Sequence, residues 1–106
     1  MIIRHQNVPG VTMLPGLLRK TMATTGKLML AEFTATAGTV VPVHTHPNDQ
    51  VGYVVRGKVK MTIEGTDHYL EAGDSYAMPA GVPHGAEFLT EAAVIDVFTP
   101  PREDYR

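Results

Sequence analysis

The stretch GTVVPVHTHPNDQVGYVVRG, residues 38–57, carries His44 and His46 two positions apart and Gln50 four further on, among β-branched residues bounded by glycines. On a strand, side chains at i and i+2 leave from one face. The two imidazoles are therefore expected to point together into whatever that face encloses. His84, which follows the turn-forming run Pro79-Ala80-Gly81-Val82-Pro83, is expected to reach the same place from a neighbouring strand or turn. Imidazole nitrogens suit divalent transition ions, and an amide oxygen can serve as a neutral fourth ligand. The sequence thus predicts a metal site of His44, His46 and His84. Gln50 is either a direct ligand or a hydrogen-bond partner of a neighbour or of a metal-bound water.

Outward from this stretch the chain alternates between short apolar runs and turns. Ten Gly and eight Pro divide it in a way that favours a sandwich or barrel over helices. Lys58–Ile63 sets Val59, Met61 and Ile63 against Lys58, Lys60 and Thr62, the alternation of a half-buried strand. Glu64-Gly65-Thr66-Asp67 reads as its turn, leading into His68–Glu71. Ser75–Met78 resumes as a strand after Ala72-Gly73-Asp74. Leu28–Thr36, with Met29, Ala31, Phe33 and Ala35 on one face, Gln50–Val55 and Ala92–Phe98 complete the strands that can be read. Leu17–Thr24 reads either as a strand or as an irregular arm. Met61 and Met78 are expected to fill core. His5 and His68 lack partners at ligand spacing and are expected on the surface.

Composition narrows the rest. One hundred and six residues make one domain. An arm of residues 1–25, a barrel of 26–99 and a tail of 100–106 are expected. Nine Lys and Arg against eleven Asp and Glu leave a net charge of −2, so a nucleic-acid partner is not expected. Without cysteine there is neither a disulfide nor a thiolate ligand, and Ser75 is the only serine. No stretch approaches the roughly 20 apolar residues of a membrane helix, and the first residues lack a signal-peptide run. A cytoplasmic protein is expected. Apolar residues between Ile2 and Leu18 exceed what one small barrel covers, so a homodimer is expected.

The glycine and histidine spacing resembles the cupins, small all-β proteins built as a double-stranded β-helix or jelly-roll barrel. The first cupin motif falls on Gly38, His44, His46, Gln50 and Gly57, and the second on Gly73, Pro79, Gly81 and His84, with fifteen residues between the motifs. Gln50 stands where the family usually has glutamate, and Phe88 where the second motif often ends in asparagine. The ending, Asp96 to Tyr105, is similar to that of small cupins of the pectin-degradation type. These open and ketonise unsaturated monouronates from pectin and alginate. That resemblance implies a His, His, Gln, His metal site and functional roles for Asp96, Phe98 and Arg102.

The residues themselves agree with such chemistry. Asp96 interrupts an apolar run and shares its face with Val94 and Phe98, which argues for the inner face and a raised pKa. With four neutral ligands a divalent ion (nickel, zinc, iron or manganese) keeps its formal +2, and so attracts acids and polarises oxygen atoms. Arg102 offers a planar fork for a carboxylate. The leading expectation is ring opening and ketonisation of a 4,5-unsaturated monouronate, an acidic sugar. Asp96 would move the proton, Arg102 hold the carboxylate and Phe98 pack the ring. The alternatives are a metal-dependent dioxygenase and a non-catalytic cup for a sugar or acid.

Overall fold

The computed structural model describes residues 1–106 and is built almost wholly of strands. They are β1 (Val11–Leu14), β2 (Leu17–Thr24), β3 (Met29–Ala35), β4 (Val40–His44), β5 (Asp49–Arg56), β6 (Lys58–Ile63), β7 (Thr66–Glu71), β8 (Ser75–Met78), β9 (His84–Phe88) and β10 (Ala92–Thr99). Short 3-10 turns cover His5–Asn7 and Glu103–Tyr105. No helix is long and apolar enough to cross a membrane.

All pairings are antiparallel. One sheet has the order β1-β2-β3-β10-β5-β8 and the other β4-β9-β6-β7. Strands far apart in sequence are neighbours in both sheets, with β10 lying between β3 and β5 and β9 between β4 and β6. This interleaving is the jelly roll that the resemblance to the cupins implies. A two-residue hairpin, Glu64-Gly65, joins β6 to β7 with φ of 49° and 79°, the two left-handed positions of a type I′ turn.

Alternation decides which side of each strand faces inward. Met29, Ala31, Phe33 and Ala35 of β3 are buried while Leu30, Glu32 and Thr34 between them are partly exposed. Val59 and Met61 of β6 come from the other sheet to meet them, and Val54, Met78 and Phe98 join from β5, β8 and β10 of their own sheet. Each buried Val, Met or Phe among them contributes about 1.5–3 kcal/mol of burial. Gly57, between β5 and β6, has φ of +89°, and a Cβ there would lie 2.4 Å from the Glu91 carbonyl oxygen. Only glycine fits that corner.

Within residues 1–25, Val11–Leu14 forms β1, and Leu17–Thr24, read either as a strand or as an irregular arm, forms β2; together they extend the larger sheet through β3. The alternation of β2 is hidden in sequence because Arg19 occupies the inner face beside buried Leu17. The tail folds back on the barrel. Pro101 and Tyr105 are buried, Thr21 Oγ1 donates to the Tyr105 carbonyl at 2.5 Å, and Asn48 Nδ2 donates to that of Pro100 at 2.6 Å.

Candidate metal centre and its cavity

His44 is the last residue of β4 and His84 the first of β9, and the two are register partners across that pair. His46 is not on a strand. Pro47 has no N–H for a ladder and disfavours continuation before it, so β4 stops at His44 and His46 rides on the connection to β5. Convergence therefore comes from the loop and not from one strand face. The Gly81 N–H donates to the His46 carbonyl at 2.9 Å and the Ala80 N–H to Asp49 Oδ1 at 2.8 Å, tying the turn before His84 to the loop carrying His46.

The three imidazoles meet. Ring centroids lie 4.4 Å apart for His44 and His84, 4.8 Å for His46 and His84, and 5.7 Å for His44 and His46. Their ligand nitrogens fall within 4.8 Å of one another. Each ring is oriented the same way, by a backbone carbonyl two residues from it. Nδ1 of His44 donates to Pro42 O at 2.9 Å, that of His46 to Asn48 O at 3.0 Å, and that of His84 to Val82 O at 2.8 Å. A carbonyl only accepts, so Nδ1 carries the proton and Nε2 is left as a lone pair in every ring. Such carbonyl anchoring of the far nitrogen is how metal-binding imidazoles are held.

Two further observations fit a cation. His84 Nε2 is buried without a hydrogen-bond partner, an arrangement that an ion would satisfy. Gln50 Oε1 lies 2.9 Å from His46 Nε2. With the proton on Nδ1 these two atoms present lone pairs to each other, which is relieved by a turned amide or by a cation between them. Burial lowers the pKa of His46 and of His84, which keeps both imidazoles neutral and able to ligate. The donor set is three imidazoles and an amide, suited to a first-row divalent ion.

These groups open into a cavity of about 180 Å³ whose wall includes His44, Gln50, His84, Asp96, Phe98 and Arg102. Asp96 is 5 % exposed, on the inner face of β10. Tyr76 Oη donates to Asp96 Oδ1 at 2.5 Å. Burial pushes the Asp96 carboxyl up to about 6, against the downward pull of hydrogen bonding from Tyr76 and Gln50. Burial, with the neighbouring Asp96 charge, also holds the Tyr76 phenol well above its ordinary range, so it stays a donor. Gly52 is the register partner of Asp96 on β5, and a Cβ there would come within 2.2 Å of both Asp96 Oδ1 and the Tyr76 ring. Its missing side chain makes the room for this pair.

Phe98 is 1 % exposed and stands edge-on to the His46 ring at 5.8 Å. Arg102 lies with its guanidinium 4.0 Å from the Tyr105 ring centroid and 5.6 Å from that of Phe98, and pairs with Asp104 at 3.0 Å. Six of the predicted residues thus line one cavity, and the seventh, His46, stands beside it against His84 and Phe98. Tyr76 and Tyr105, which also line the cavity, were not anticipated, nor was Arg19, whose guanidinium stands against the Tyr105 ring. A buried Tyr76 opposite a lone inner-face Asp is a signal visible only once the register of β5, β8 and β10 is known. His5 and His68 are exposed, and His5 pairs with Glu32 at 2.9 Å.

The cupin domain family matches residues 31–98. The chain is 34% identical over 92 residues to the pectin degradation protein KdgF of Dickeya dadantii (strain 3937), covering 85% of this chain and 84% of that protein. The solved structure of KdgF from Halomonas sp. superposes with a TM-score of 0.95 at 33% identity, over 100% of this chain and 98% of that one. An RmlC-like cupin from Shewanella frigidimarina NCIMB 400 superposes with a TM-score of 0.95 at 32% identity, over 99% and 95% of the two chains.

Proposed function

This chain belongs to the cupin domain family, and from that premise we propose that it is a metal-dependent enzyme of pectin or alginate breakdown that opens and ketonises 4,5-unsaturated monouronates. The observation that carries the reading is the meeting of three imidazoles beside a cavity whose wall includes His44, His84, a buried carboxyl and a guanidinium. Similarity to a pectin degradation protein over most of both chains supports it.

His44, His46, His84 and Gln50 would hold the divalent ion. Bound there, the ion supplies Lewis-acid polarisation of a hydroxyl or carbonyl oxygen of the sugar. The remaining work falls to side chains. Ring opening breaks the C1–O5 bond of the cyclic hemiacetal as O1 gives up its proton and C1 becomes a carbonyl. The enol left at C5 becomes a ketone as its hydroxyl proton is lost and one is delivered to C4, with no net change of atoms. Asp96 carries that proton on Oδ2, because Oδ1 is engaged by the Tyr76 hydroxyl. A carboxyl near 6 can both take and return a proton close to neutrality. Arg102 presents its fork to the uronate carboxylate, which competes with Asp104 for it. Phe98 gives the sugar ring an apolar surface beside His46.

The test follows the absorbance of the conjugated double bond. Purified, metal-loaded protein is expected to consume unsaturated galacturonate at a rate proportional to enzyme concentration. Consumption no faster than in buffer overturns the proposal.

A further inference from the structure

Arg19 is the only Lys or Arg of this chain that is buried, at 7 % exposure, and it has no carboxylate partner. It sits on the inner face of β2, where register places it between Val11 and Phe33. Its Nη1 donates to Met13 Sδ at 3.0 Å, a weak acceptor, and its Nε is buried with no partner at all. The guanidinium carbon stands 4.5 Å from the centroid of the Tyr105 ring. A guanidinium has five donors, and burying the charge without an anion is costly. A cation–π contact offsets only part of that cost.

The surroundings say where the missing anion belongs. Met13, Leu17, Phe33 and Tyr105 line the cavity that holds His44 and His84. Arg102 shares the Tyr105 ring but already has Asp104, and the one fully buried carboxyl, Asp96, is occupied by Tyr76. The uncompensated charge behind this wall of the cavity, against Met13 and Tyr105, is therefore that of Arg19. Only the Met13 side chain, with three rotatable bonds and no strong hold on its position, is bonded to its Nη1.

The geometry points to Arg19 as an anion-binding residue, which takes a carboxylate of the cavity's ligand when the Met13 side chain moves aside. A carboxylate has about four acceptor sites, enough for Arg19 and Arg102 to share one acid group. This deepens the uronate reading and rests on it for the identity of the acid. It makes Arg19, together with Arg102, a residue that selects an acidic sugar over its neutral counterpart.

Titration calorimetry on metal-loaded wild type, Arg19→Gln and Arg19→Lys tests this, with galacturonate, galactose and succinate as probes and circular dichroism as the check of folding. Wild type is expected to favour galacturonate over galactose. Arg19→Gln is expected to bind galacturonate about tenfold more weakly or worse and galactose as wild type does. Arg19→Lys, which keeps the charge and loses the fork, is expected to fall between, and it serves alone if the Gln variant does not fold. A folded Arg19→Gln or Arg19→Lys that binds galacturonate as tightly as wild type overturns the assignment and leaves the uronate reading intact. Wild type that ignores galacturonate but binds succinate through Arg19 supports the assignment and removes the uronate. Wild type that binds neither acid removes both.

Discussion

Replacing Tyr76 by Phe removes one hydroxyl, and the structure says how the loss should depend on pH. That hydroxyl donates to Asp96 Oδ1 at 2.5 Å inside the barrel. The rise of the Asp96 carboxyl from 3.8 to about 6 makes its ionised form a burden of roughly 3 kcal/mol on the fold. The native protein keeps the proton between those values while the unfolded chain has released it. The Asp96 contribution is therefore most favourable below 3.8 and is lost as pH rises through 6. Tyr76 moderates this by stabilising the carboxylate, so Tyr76→Phe carries the Asp96 pKa higher still. Near pH 5 both proteins hold a neutral acid, and the variant loses only an ordinary hydrogen bond, about 1 kcal/mol. Near pH 8 it also leaves a buried carboxylate without its donor, which adds about 1–2 kcal/mol. Urea unfolding of the metal-free protein at both pH values measures the difference. The added loss should vanish when Asp96→Asn is present as well. An equal loss at both pH values, or one that persists beside Asp96→Asn, would refute the reasoning.

Three further outcomes are expected. Gly52→Ala drives a methyl within 2.2 Å of Asp96 Oδ1 and the Tyr76 ring; it should cost about 3 kcal/mol in denaturant unfolding and reduce turnover by displacing Asp96. Arg102→Lys keeps the charge but not the fork, so KM for the unsaturated uronate should rise about tenfold with kcat much less affected, as steady-state kinetics will show. Because burial lowers the pKa of His46 and His84, metal should be retained at neutral pH and released as pH falls below their ordinary value of 6.5, followed by dialysis and elemental analysis.

Much of the fold could be read where one face of a strand is wholly apolar. β6 and β8 end where alternation and turn residues placed them, and β3 and β10 lie within a residue of their expected limits. The losses have physical causes. β2 carries Arg19 and Thr21 inward, so its period does not register as hydrophobic. β4 is five residues long, holds Pro42, and buries none of its side chains fully. The histidines were legible because their glycine frame was, although His46 reaches the site from a loop and not from a strand. Tyr76, Tyr105 and Arg19 were hidden for another reason. Their roles come from partners twenty or more residues away, brought together only by sheet register and by the folded-back tail.

The proposed chemistry depends on a cation held by His44, His46, His84 and Gln50. Anomalous scattering from crystals of the metal-loaded protein, recorded on both sides of the metal's absorption edge, tests this directly. The account predicts one strong peak, within bonding distance of Nε2 of all three histidines and of Gln50 Oε1, facing the cavity lined by Asp96 and Arg102. A fully loaded protein with no peak there, or with its peak elsewhere on the chain, would contradict it.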